Sequence, residues 1–105
     1  MGEKSFYHNV FFWLKDPSNI NDCLLFETAL QNFLDTTIYP KTSVITKPAH
    51  TNREVVDNSY TYGLLVSFET KENHDLYQTE EAHLLFIEES SHLWTKVIVY
   101  DSKSI

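Results

Sequence analysis

Tyr77-Gln78-Thr79-Glu80-Glu81-Ala82-His83-Leu84-Leu85-Phe86 puts a phenol, an imidazole and an apolar helical face within ten residues. On one continuous helix, the six-residue step from Tyr77 to His83 is a rotation of about 600°, which leaves the two side chains about 120° apart. A break at Thr79 lets them converge. Thr79 is a suitable N-cap, and Glu80 and Glu81 would fall in the first turn, where carboxylates meet the positive end of the helix dipole. The stretch therefore predicts a short helix over 71–78, a kink, and a second helix over 80–93 with His83 aimed inward. Ala82, His83, Phe86, Ile87 and Ser90 share the inner side, and Glu81, Glu88 and Glu89 the outer.

Moving toward the N-terminus, Tyr60 to Glu69 has strand character. Tyr60, Tyr62, Leu64, Val66 and Phe68 fall on its more apolar face, and Thr61, Gly63, Leu65, Ser67 and Glu69 on the other. Thr70 is placed to cap the helix that follows. Residues 48–60 carry Pro48, Asn52, Asp57 and Asn58 without periodicity and read as a long loop, a kind of segment that is often functional or interface-forming. Thr42 to Lys47 alternates weakly around Val44 and Ile45 and reads as a strand. Asp16-Pro17-Ser18-Asn19 feeds a helix from Ile20 to about Asp35, with Ser or Asn as its cap and Cys23, Leu24, Phe26, Leu30, Phe33 and Leu34 as its apolar stripe. Leu25 falls off that stripe, and Thr36, Thr37 and Pro40 end the helix.

Residues 6–14 are rich in aromatic and β-branched side chains and almost uncharged, as in a strand covered on both faces. His8, Val10, Phe12 and Leu14 share one face; Tyr7, Asn9, Phe11 and Trp13 share the other. On the C-terminal side, Thr95 to Asp101 is the closing strand and the last four residues are expected to fray. The order strand, helix, strand, strand, helix, strand is the split βαβ arrangement. It implies an α+β, ferredoxin-like fold: a four-stranded antiparallel sheet with helices on one face. The other sheet face needs a cover, and Phe11, Trp13 and Leu65 are positioned to meet a second copy of the chain.

A chain of 105 residues is one domain, small enough that a partner subunit would help bury its apolar surface. Its net charge of −7 makes nucleic acid and anionic membranes poor partners. No apolar run reaches the roughly 20 residues of a membrane span. The N-terminus has no signal-peptide pattern, and Met1-Gly2 is not followed by the Ser or Thr that myristoylation needs, Phe6 standing there instead. Cys23 is alone, which suits a reducing, cytoplasmic setting, and its apolar neighbours predict a buried thiol.

An imidazole titrating near neutrality can act as general acid and base, so His83 is a candidate catalytic residue, with the Tyr77 hydroxyl as a polariser of a substrate carbonyl. The pocket predicted between helices and sheet has Val10, Phe12, Phe26, Leu30, Tyr62, Leu64, Val66, Phe86 and Trp94 as walls. His8, Tyr62, Tyr77 and His83 are its convergent polar groups, an arrangement typical of a site for a small, largely apolar or aromatic molecule. His8 could face His83, and two histidines with a Glu would suggest a metal, but no tight His spacing supports this, so neither metal nor cofactor is expected. His50, His74 and His92 are expected to be solvated.

Four segments together resemble the stress-responsive α/β barrel domain (Dabb) family of the dimeric α+β barrel superfamily, over residues 6–101. They are His8 with the strand Val10 to Leu14, the strand Tyr60-Thr-Tyr-Gly-Leu-Leu-Val-Ser-Phe-Glu69, the helix pair Tyr77 with Ala82-His83 and Phe86, and Val97-Ile-Val-Tyr-Asp101. The resemblance implies a homodimer whose two sheets pack into a barrel. It also implies, by likeness to a plant branch of cofactor-free polyketide cyclases, catalytic use of Tyr77 and His83. Two departures stand out: Glu80-Glu81 replaces the His-Pro common before Ala-His, and Tyr62 stands where the cyclase branch has a histidine.

Overall fold

Alternating apolar residues in β1 (Phe6–Leu14) place it at the centre of the sheet. It pairs antiparallel with β3 (Tyr62–Phe68) on one side and with β4 (Trp94–Lys103) on the other, and β2 (Thr42–Thr46) adds to β3. The order is β2-β3-β1-β4. The computed structural model describes residues 4–105, so Met1-Gly2 lies outside the described residues. Three helices, α1 (Ile20–Thr36), α2 (Lys71–Thr79) and α3 (Glu81–Ser90), lie on one face, and a short 3-10 turn, Ser91–Leu93, leads into β4. The predicted ferredoxin-like arrangement is the one observed. At 18 Å in its thinnest direction, the molecule is a sheet plus a single helical layer.

Capping chemistry fixes the helix starts as expected. The Asn19 side chain accepts from the Asp22 amide at 3.1 Å, and the Thr70 hydroxyl accepts from the Asn73 amide at 3.1 Å. The kink after α2 is one residue later than predicted. Thr79 is the last residue of α2, and Glu80 serves as C-cap of α2 and N-cap of α3 with φ −63° and ψ 144°. Among the described residues, no side chain caps α3 at this point. Instead Glu80 accepts a hydrogen bond from the Thr37 hydroxyl at 2.5 Å, which ties the break to the end of α1.

On the helix-facing side, Val10, Phe12 and Leu14 of β1 and Tyr62, Leu64, Val66 and Phe68 of β3 pack against Phe26, Leu30 and Phe33 of α1 and Phe86 of α3. Phe26 stacks on Tyr62 at 4.9 Å between centroids, and Phe33 stacks on Phe86 at 5.6 Å. Burying each such ring contributes about 1.5–3 kcal/mol. Leu25 is exposed, as its position off the stripe implied. Cys23 is only half-buried, contrary to expectation, because it sits in the first turn of α1 beside Pro17, whose carbonyl accepts from its thiol at 3.4 Å.

The C-terminus does not fray as predicted. β4 continues to Lys103, the Ser104 amide donates to the Ser5 carbonyl at 3.0 Å, and the Ser5 amide donates to the Ser104 hydroxyl at 3.1 Å. The reason is register: Phe6 pairs with Lys103, so the ends of β1 and β4 hold each other.

Among the described residues, no helix lies on the opposite sheet face. Phe11, Trp13, Leu65, Val44 and Tyr100 lie there, with Leu65, Val44 and Tyr100 exposed. Loop 48–60 extends this surface: Tyr60 meets Phe11 edge-on at 4.9 Å, and the Trp13 indole donates to the Ser59 hydroxyl at 3.1 Å. A side chain at position 63 would enter space held by the Phe11 ring and the Thr46 hydroxyl, so glycine stands there.

Candidate functional site

His83 lies in the first turn of α3 and Tyr77 in the last turn of α2, so the extended residue between the two helices decides how they meet. With the chain turned at Glu80, the Tyr77 and His83 rings face each other edge-on, 5.4 Å between centroids and 62° between planes. Phe33 of α1 packs on both, at 5.1 Å from Tyr77 and 5.4 Å from His83. Burial holds the His83 imidazole below its ordinary pKa of 6.5, the neighbouring His8 acting in the same direction. Its Nδ1 is buried with no hydrogen-bond partner among the described residues. Burial, helped by the Glu80 carboxylate, pushes the Tyr77 phenol well above its usual value of 10. At neutral pH the pair is thus a neutral imidazole beside a protonated phenol.

Both residues line a cavity of about 190 Å³ that opens over β4. Its walls are His8, Val10 and Phe12 from β1, Leu64 from β3, Phe86 and Ile87 from α3, and Trp94, Val97 and Val99 from β4, with Phe33 and Gln78 completing it. β4 is an edge strand without a helix over it, which leaves Val97 and Val99 accessible at the mouth. Of the expected binding residues, His8, Val10, Phe12, Leu64, Phe86 and Trp94 come together here. Phe26, Leu30 and Val66 do not; they are fully enclosed in the core on the α1 side.

Tyr62 also turns away from the cavity. Its hydroxyl donates to the Glu27 carboxylate of α1, and burial together with that bond raises its pKa far above the usual range. It forms part of a separate, open groove with Leu24, Thr28 and Ile45. The cause is position: Tyr62 opens β3 beneath the N-terminal half of α1, whereas the cavity lies under α2 and α3.

His8 lines the same cavity as His83, and the Tyr77 ring contacts both, 5.8 Å from His8 and 5.4 Å from His83. The His8 Nδ1 donates to the Asp101 carboxylate at 2.6 Å, and the Gln78 amide lies 3.4 Å from Nε2. Burial keeps the His8 pKa below the ordinary value, outweighing the opposing pull of Asp101. His74, expected to be solvated, is only 12% exposed. It stacks on Phe6 at 4.3 Å and lies 5.0 Å from the His8 ring, because α2 lays its inner face across the open ends of β1 and β3. The alternating polar residues of α2 gave no apolar stripe from which this burial could be read. His50 and His92 are exposed.

The fold agrees with what known proteins show. Over residues 6–104 the chain matches the Stress responsive A/B Barrel Domain, and it belongs to that family, known as Dabb. Among solved structures, a Dabb family protein with a ferredoxin-like fold from Mesorhizobium loti is similar at a TM-score of 0.81 and 16% identity, covering 98% of this chain and 99% of that one. A dimeric ferredoxin-like protein of unknown function from Thermobifida fusca superposes with a TM-score of 0.77 at 12% identity, covering 99% and 93%. The hydroxynitrile lyase from Passiflora edulis has a TM-score of 0.81 at 14% identity, covering 97% and 94%. None of the curated proteins matches the chain.

Proposed function

We propose that this chain forms a homodimer through its bare sheet face and binds one small, largely apolar or aromatic molecule per subunit in the cavity under α2 and α3. The observation that carries this reading is the pairing of the His83 imidazole with the Tyr77 phenol in the wall of a largely apolar cavity, 5.4 Å between ring centroids. An imidazole and a phenol side by side in such a wall suit a largely apolar molecule that carries a polar group. The volume of about 190 Å³ suits one aromatic ring, given that an apolar cavity of about 150 Å³ holds benzene. Dimerisation is supported by the apolar face of Phe11, Trp13, Tyr60 and Leu65 and by the dimeric description of the Thermobifida protein. The lone Cys23 and the acidic surface fit a cytoplasmic protein that engages neither nucleic acid nor membrane; among the described residues no helix is long and apolar enough to cross one. A stress-related role is in keeping with the family's description.

A second reading is a cofactor-free enzyme, a cyclase, isomerase or monooxygenase. The same pair favours it: His83 is neutral and free to accept a proton, and the Tyr77 hydroxyl can polarise a carbonyl. The lyase of similar fold supports only the capacity of the scaffold to hold a reaction. In the third reading, a structural dimer, His83 and Tyr77 only fill the core. Replacing His83 by Gln separates the three. Binding of single-ring phenols and aromatic aldehydes, measured by calorimetry, weakens if His83 binds. Affinity is kept and turnover lost if His83 moves a proton. Only the melting temperature changes if His83 is structural.

A further inference from the structure

Apart from the cavity pair, the described residues contain a second cluster of chemistry-bearing side chains: His8 on β1, His74 on α2 and Asp101 on β4. One donor atom from each lies within 4.8 Å of the other two. We propose that these three residues bind a divalent transition-metal ion of the zinc type at the His8 side of the cavity, without the Tyr77–His83 pair.

The donor set is two imidazoles and one carboxylate, which selects zinc-like ions over magnesium or calcium, since the latter prefer oxygen donors. The Asp101 carboxylate lies between the rings: one oxygen accepts from His8 Nδ1 at 2.6 Å, and the other is 3.9 Å from His74 Nε2. Tetrahedral donors around zinc stand about 3.4 Å apart. The first distance must open and the second close by less than an ångström each, the remaining separation, within 4.8 Å, must close by up to about 1.4 Å, and Asp101, 41% exposed on an edge strand, has the freedom to turn.

The outer partners favour the same assignment. His74 Nδ1 donates to the Asp75 carboxylate at 3.1 Å, which leaves Nε2 as the nitrogen open to another partner. That Nε2 is buried, has no hydrogen-bond partner among the described residues, and faces a carboxylate. A nitrogen so placed against a carboxylate calls for a cation between them, a proton or a metal ion. On the other ring, His8 Nε2 meets the Gln78 side-chain amide. Rotating that amide presents its oxygen to an Nε2–H and releases Nδ1 for the metal. Each imidazole therefore has a polar group on its far nitrogen, as metal-bound histidines do.

The test is zinc titration of chelator-treated protein by calorimetry, with cobalt as a spectroscopic substitute. The expected result is one ion per chain and a rise in melting temperature. His74→Leu, which keeps the packing on Phe6, and Asp101→Asn, which keeps the shape, should each weaken binding about ten-fold or more. Loss of the exposed His92 should change nothing, and His83→Gln should leave zinc uptake intact, so the cavity reading can fail without this one. Zinc uptake that is absent in the native chain, or equal in the native chain, His74→Leu and Asp101→Asn, would overturn the proposal.

Discussion

Tyr77 and His83 stand edge to face, 5.4 Å between ring centroids, on two helices that would have kept them apart had they been one. Glu80 makes the difference, with an extended ψ of 144° between two helical segments and its carboxylate bound to Thr37. Removing the Thr37 hydroxyl with Thr37→Val should loosen that junction. Ligand affinity would then fall while the melting temperature drops by only a few degrees, as for loss of about 1 kcal/mol in a small domain. Paired calorimetric and thermal measurements check this.

Acid should destabilise the protein partly through His83. Burial lowers its pKa in the folded state, so between that value and 6.5 the unfolded chain binds the proton more readily. Stability from this group is present above 6.5 and is lost as pH falls through 6.5 toward the folded value. Melting curves at pH 7 and pH 5 should show a smaller loss for His83→Leu than for the native protein; an equal loss would contradict the assignment.

Tyr62 should prove structural. Tyr62→Phe removes the bond to Glu27 and should lower stability by about 1 kcal/mol while leaving ligand binding in the cavity unchanged. Urea unfolding and calorimetry together test both halves of that statement.

On the bare sheet face, Leu65 is 39% exposed and lies between Asn9 and Val44 rather than in the core. Leu65→Glu should therefore leave the fold intact and yield monomers by light scattering, because a charge buried between two sheets without a partner opposes association. A folded variant that stays dimeric would place the interface elsewhere.

The strands and α1 were legible because their apolar periods of two and about 3.6 are uninterrupted: Val10, Phe12 and Leu14 in one case, Phe26, Leu30 and Phe33 in the other. The pairing of Tyr77 with His83 was legible because helical geometry demanded a break between them. Its position was one residue off, since the tie from Glu80 to Thr37 joins residues 43 apart in sequence. Phe26, Leu30, Val66 and Tyr62 share the inner face with the true cavity residues, and periodicity identifies a face without showing which end of it stays open. His74 was read as solvated because its neighbours Glu72, Asn73 and Asp75 are polar; its burial comes from the docking of α2 on Phe6 and Phe68.

Native mass spectrometry of the untagged protein with added 4-methylphenol tests the central claim most directly. The account predicts a dimer that takes up as many as two phenols. It also predicts that uptake is lost in Val99→Trp, which fills the mouth of the cavity, and is reduced in His83→Gln. A monomer, a dimer that takes up none, or a dimer whose uptake is unchanged by Val99→Trp would contradict it.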